Sequence, residues 1–481
     1  MKFRLFIKAF LITAAVAMLT ISGSAQVTVT TSTNSQIQIN DGKNYKWKSS
    51  SMGQEFSIEL RGKIEVTDDD KDIKTITSDG YLEISKTTFG SKRTIIIEAI
   101  GNKVKKEYYE GRTLVSWDEK GRAWLGEILP EIVRSTGLSA ESRVNRYYKQ
   151  GGTTAVLEEI KRIDSDYVSS LYANLLMKKP VQPSEYAAII KAITTKVDSD
   201  HYKTEFLKSN AAKFLQHKDA TTAMLSATDA MESDHYKTLV IKEALEGESA
   251  TDENIAIILR TASKMDSDHY ITEVLTSLLK KPISENVMTE LITATKGMES
   301  DHYKTVVLTT ALTKPNLSKL SYQRLLESVS NVESDHYRTQ IINGMLAKKL
   351  TDDVLQNALS MTDAMESDHY KTEILTQLLK RQDADATTFN SVLSAASSME
   401  SDHYKTVVFQ AAIAGDIDDA QLIQLLKSLN RVESDHYLTE ILLRAAPRVK
   451  AGSTPMKDAY RDAARRIESE AYYGKALKAI D

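Results

Sequence analysis

Eight copies of a seven-residue string constrain what this chain can fold into. Glu-Ser-Asp-His-Tyr-Lys-Thr occurs unaltered from Glu232, Glu299, Glu366 and Glu400, with close variants from Asp198, Asp266, Glu333 and Glu433. Successive copies begin 34, 34, 33, 34, 33, 34 and 33 residues apart. A fixed period of this length is the signature of helical hairpins stacked into a solenoid, because one hairpin cannot bury its apolar face alone. The fold class predicted is mainly α: an α-solenoid of about ten 33- to 34-residue hairpins behind a small N-terminal antiparallel β domain.

Within each unit the pattern predicts helix A, a tight turn, helix B and a looser connection. Before Glu299, helix A would present Val287, Leu291, Ala294 and Met298 on one face at helical spacing. Ser300 is placed to cap helix B with its hydroxyl, and Glu299 and Asp301 put negative charge at the positive end of the helix dipole. The motif tyrosine opens the buried face of helix B, and an apolar pair follows four and five residues later, as in Val307-Leu308 and Ile341-Ile342. The structural motif is therefore Ser233, Asp234, His235 and Tyr236, repeated as Ser300, Asp301, His302 and Tyr303. Degenerate copies at Asp164-Ser165-Asp166-Tyr167 and Glu468-Ser469-Glu470-Ala471-Tyr472 lack the histidine, as terminal repeats facing a different neighbour would.

Eight of the nine histidines occupy one motif position. Each stands one residue before the tyrosine, so helix geometry turns it about 100° away, onto an accessible ladder. His201 has Glu205 four residues on, and His269 with Glu273, His369 with Glu373 and His436 with Glu440 repeat the pair. That spacing brings two ligands to one helix face and is the basis for an alternative function, divalent-metal or small-ligand binding. The other four copies place Leu239, Val306, Gln340 and Val407 there, which argues against a uniform metal ladder. The simpler expectation is that each histidine hydrogen-bonds to an Asp, Ser or Tyr of its own or an adjacent motif and locks the hairpins in register.

Upstream, Phe56, Ile58 and Leu60 alternate with polar residues, and Ile95 to Ile100 forms a β-rich run, with turn signals between such segments. Asp68-Asp69-Asp70 reads as a charged hairpin turn, since the glycine and distal glutamate of a calcium loop are missing. Trp124, Leu125, Ile128, Leu129, Ile132 and Val133 then recur at helical spacing before Gly137. At the start, Lys2, Arg4 and Lys8 precede an apolar run from Ala9 to Ile21 and the small residues Gly23-Ser24-Ala25, the pattern of a cleaved signal. The expected boundaries are 1–25 signal peptide, 26–117 β-rich domain, 118–138 connecting helix and 139–481 repeats.

With no cysteine, disulfides, thiolate metal sites and a cysteine nucleophile are excluded. The net charge of −4 becomes −7 once Lys2, Arg4 and Lys8 are removed, and from this mild acidity we expect no nucleic-acid partner and no membrane partner after signal cleavage. Zinc-helix, nucleophile-elbow, phosphate-loop and dinucleotide templates are absent, so no catalytic residue and no cofactor is assigned.

The order of Asp68-Asp69-Asp70, Gly121-Arg122-Ala123-Trp124-Leu125, Leu129-Pro130, Arg134-Ser135-Thr136-Gly137 and Asp164-Ser165-Asp166-Tyr167 resembles a bacterial extracytoplasmic module with Ser-Asp-Tyr-type helical repeats. That module is similar to one attached to some penicillin-sensor-type membrane metallopeptidases, and the hairpins are also similar to HEAT and tetratricopeptide repeats. The resemblance implies export to the periplasm or beyond and a sensing or scaffolding role without peptidase activity. The function expected is an exported non-catalytic scaffold or sensor for protein or peptide partners. A polysaccharide-processing enzyme of the envelope is the remaining class.

Overall fold

A computed structural model of the chain describes residues 27–31, 35–40, 44–51, 54–247, 251–381 and 385–481. The expected signal segment lies outside them. Two compact units divide the chain: residues up to 182 with 195–206, and residues 183–194 with 207–481. No helix among the described residues is long and apolar enough to cross a membrane.

The first unit opens with ten strands: β1 (Val27–Thr31), β2 (Ser35–Asn40), β3 (Asn44–Ser51), β4 (Gln54–Arg61), β5 (Ile64–Val66), β6 (Ile73–Ile76), β7 (Tyr81–Thr88), β8 (Ser91–Ile100), β9 (Lys103–Glu110) and β10 (Thr113–Val115). All but β5 and β6 form one antiparallel sheet in the order β1-β2-β3-β4-β7-β8-β9-β10, and β5 pairs with β6 as a separate hairpin. The alternation read in β4 sends Ile58 and Leu60 to the same face as their cross-strand partners Ile84 and Leu82 and, one strand on, Ile95 and Ile97. This face packs on Trp124, Leu125, Ile128, Leu129 and Ile132 of α1 (Arg122–Thr136). The predicted amphipathic helix is thus the lid of the β core. It ends at Gly137, whose φ of 73° is the left-handed C-cap conformation that a side chain disfavours. Next come α2 (Ala140–Lys161) and α3 (Asp166–Leu176). α2 is broken at Gly151-Gly152, where Gly152 takes φ 62° and ψ −149°, a region open in practice only to glycine.

The second unit is a stack of helical hairpins. In one of them helix A is Glu285–Ala294, the turn is a single 3-10 segment Thr295–Gly297, and helix B is Asp301–Leu312. Val287 and Leu291 are buried as the periodicity predicts. Met298 is buried too, but from an extended backbone beyond the helix, because the 3-10 turn has already closed it. Helix A is capped by Ser284, whose hydroxyl accepts from the N–H of Val287. The pairs Val307-Leu308, Ile341-Ile342 and Ile374-Leu375 are completely buried. Like-positioned helices of successive hairpins pack on each other, B on B and A on A. Each hairpin therefore buries its apolar face against its neighbours, as a unit too small to hold its own core must.

Candidate functional site

The repeated motif builds one contact many times over. Ser300 occupies the N-cap of helix B with extended backbone (φ −80°, ψ 117°), yet its hydroxyl takes no bond from the first turn. Its position was legible, and its expected hydroxyl cap is corrected. The orphan N–H groups that matter lie at the two residues before the helix, and an aspartate one repeat earlier takes them. Asp301 Oδ2 accepts from the N–H of Glu333 at 2.9 Å and of Ser334 at 2.8 Å. Asp335 does the same for Glu366 and Ser367, Asp368 for Glu400 and Ser401, and Asp402 for Glu433 and Ser434. Backbone N–H groups at a helix start have no intrahelical acceptor, and a carboxylate is the strongest one available.

The motif cation completes the clamp. Lys304 Nζ reaches its own Asp301 and donates to the Asn331 carbonyl at 3.0 Å, and Lys405 repeats this with Asp402 and the Arg431 carbonyl. Burial raises the Asp402 carboxyl, but hydrogen bonds from Lys405 and from the Ser434 and Glu433 N–H groups outweigh it and leave the carboxyl below the usual value.

The histidine makes the second contact. His302 lies 5.2 Å from its own Tyr303 and 5.9 Å from Tyr337 of the next motif, edge to face at 61° between the planes for the latter. The cross-repeat distance stays between 5.7 and 5.9 Å from His235–Tyr270 to His436–Tyr472. A hydrogen-bond contact of the expected kind joins Tyr270 Oη to His235 Nδ1 at 3.5 Å, and the ring packing is the contact that recurs from motif to motif.

The terminal copies show what this contact needs. At the first, Tyr167 holds the histidine position and packs on Tyr202 at 6.0 Å, while Val168 stands where the tyrosine would be. At the last, Tyr472 receives His436, while Ala471 holds the histidine position. Each end thus keeps the half of the pair that faces inward along the repeat and lacks the other half.

The ladder is half-open to solvent, with the His269 side chain 52% exposed. The four expected pairs form: Nε2 to carboxylate oxygen is 4.0 Å for His201–Glu205, 3.5 Å for His269–Glu273, 3.2 Å for His369–Glu373 and 3.5 Å for His436–Glu440. Lys242 also reaches Glu273, at 3.2 Å. Among the described residues no three potential ligands come together.

One buried cluster was missed by the sequence. Asp70, in the β5–β6 turn with φ 56°, binds Arg143 of α2 through both carboxylate oxygens, and Arg146 through one. Arg143 is completely buried and also donates to Glu159 at 2.7 Å and to the Tyr172 hydroxyl. Glu159 in turn accepts from Arg134 of α1. Burial pushes the Tyr172 phenol up to about 12 despite Arg143. The network pins the β5–β6 hairpin, α1, α2 and α3 together. Its partners lie 73 and 16 residues from Arg143, beyond any local pattern.

No protein-family model and no curated protein matches the chain. Among solved structures, one described as "Structure of APUM23-GGAGUUGACGG" is similar over 71% of this chain and 95% of the other, at 10% identity and a TM-score of 0.22. So low a TM-score carries no argument about how this chain binds. The exclusion of nucleic acid drawn from net charge is corrected on its own premise: a whole-chain charge of −4 does not report the potential of any one surface. The helical-repeat fold itself is that of binding scaffolds.

Proposed function

We propose that the chain is an exported, non-catalytic scaffold that engages an extended protein or peptide partner along its repeats. One observation carries this: the Asp and His of each motif act on the next repeat, so the motif serves to hold many hairpins in fixed register. A register kept over many units yields a long regular surface, which suits an extended partner. Export is favoured by the charged-then-apolar N-terminal segment and by the resemblance to an extracytoplasmic repeat module. Panning displayed linear peptides on the immobilised chain tests the proposal. Enrichment of sequences that compete with one another is expected, and a failure to enrich any linear sequence would overturn it.

A further inference from the structure

Packing explains the motif's aspartate, lysine and aromatic pair but leaves its first residue over. In Glu299, Glu333, Glu366 and Glu400 the backbone N–H is held by the preceding aspartate, while the carboxylate is exposed and makes no hydrogen bond or ion pair. A capping charge is already supplied two residues later by the motif aspartate. Every copy nonetheless carries Asp or Glu at this position. The cations of the motif do not answer this charge, since Lys304 and Lys405 are buried against their aspartates and the neighbouring turn carbonyls. Three and four residues after each of these glutamates the motif carries an exposed histidine and a part-buried tyrosine.

We infer that this motif face is a docking surface for a cationic, extended polypeptide segment rich in lysine or arginine. Exposed carboxylates without a cation of their own, repeated once per motif, suit guanidinium and ammonium groups: each supplies charge and hydrogen-bond acceptors, and the aromatic residues of the same motif add ring surface for the stems. Charge complementarity selects this occupant. The surface rests on the scaffold role proposed above and names its partner class.

The test uses the full mature chain and three labelled peptides of equal length, one Lys/Arg-rich, one Asp/Glu-rich and one uncharged, with binding followed by fluorescence anisotropy. The basic peptide should bind, and its affinity should fall several-fold between about 0.05 and about 0.3 M salt. The triple variant Glu299→Gln, Glu333→Gln, Glu366→Gln should weaken it about tenfold or more, while Glu253→Gln, Glu290→Gln, Glu327→Gln on the A helices should leave it within about twofold. Unchanged melting of both variants shows that the fold survives. Equal loss in both variants, or none in either, would overturn the assigned face while leaving a peptide scaffold standing. Binding of only the acidic or uncharged peptide would overturn the partner class alone, and binding of none of the three would count against the scaffold as well.

Discussion

Asp301 Oδ2 lies 2.8 Å from the backbone nitrogen of Ser334, one full repeat further along the chain. The bond ties the first turn of one helix B to the N-cap of the next, and with the His302–Tyr337 ring contact it makes each motif a staple on its successor.

Removing the carboxylate should therefore weaken the stack. Asp301→Ala leaves the exposed Glu333 N–H and the part-buried Ser334 N–H without their acceptor and should cost about 1 to 2 kcal/mol, with Asp301→Asn intermediate. Urea unfolding followed by circular dichroism measures this. The neighbouring Glu299→Ala should change stability by less than about 0.5 kcal/mol.

Tyr167 shows that a phenol ring can replace the imidazole in the cross-repeat contact. His302→Ala should cost about 0.5 to 1.5 kcal/mol, and His302→Tyr distinctly less. Equal losses from the two changes would mean that the rings do not join the repeats.

Arg143 is fully buried between Asp70 and Glu159. Arg143→Met takes one cation from each of two buried carboxylates, leaving Asp70 to Arg146 and Glu159 to Arg134, and should destabilise the first unit by about 2 to 3 kcal/mol. Trp117 and Trp124 both belong to that unit's core, so tryptophan fluorescence reports its unfolding directly. A loss under about 1 kcal/mol would show that the cluster is not the tie it resembles.

Acid should loosen both ties. Burial works to raise Asp70 and Asp402, but Arg143 and Arg146 on the first, and Lys405 with two N–H groups on the second, hold both below the ordinary aspartate value of 3.8. A carboxyl with a depressed folded pKa stabilises fully above its unfolded pKa, and that contribution is lost as pH falls through the folded value. Stability should thus be level from neutral pH down to about 5 and fall below about 4. Asp402→Asn should lower it near neutrality and flatten part of the acid slope.

Phe89 is 82% exposed at the β7–β8 turn with φ 46°. A phenylalanine gains little burial there and pays for left-handed backbone, so Phe89→Asn, ahead of Gly90, should stabilise the sheet by about 1 kcal/mol in thermal melts.

Much of the solenoid was legible because its determinants are local. A motif recurring at 33 or 34 residues and the apolar pairs such as Val307-Leu308 give the hairpin and its buried face without any long-range contact. The staple was only half legible. The sequence placed Ser300 at a helix start, but that its N–H would be held by Asp268 depends on how two repeats meet. Tyr167 was read as part of a copy lacking histidine, when in register it occupies the histidine position. Asp70 was read as a turn residue, correctly for its backbone, but its carboxylate acts on arginines 73 and 76 residues away.

Amide hydrogen exchange at Glu333 and Ser334 in Asp301→Ala tests the staple most directly. These two amides should lose protection relative to the native protein, while Glu299 and Ser300, held by the intact Asp268 one repeat earlier, keep theirs. Unchanged protection at Ser334, or a uniform loss across all repeats, would contradict a staple acting from each motif on the next.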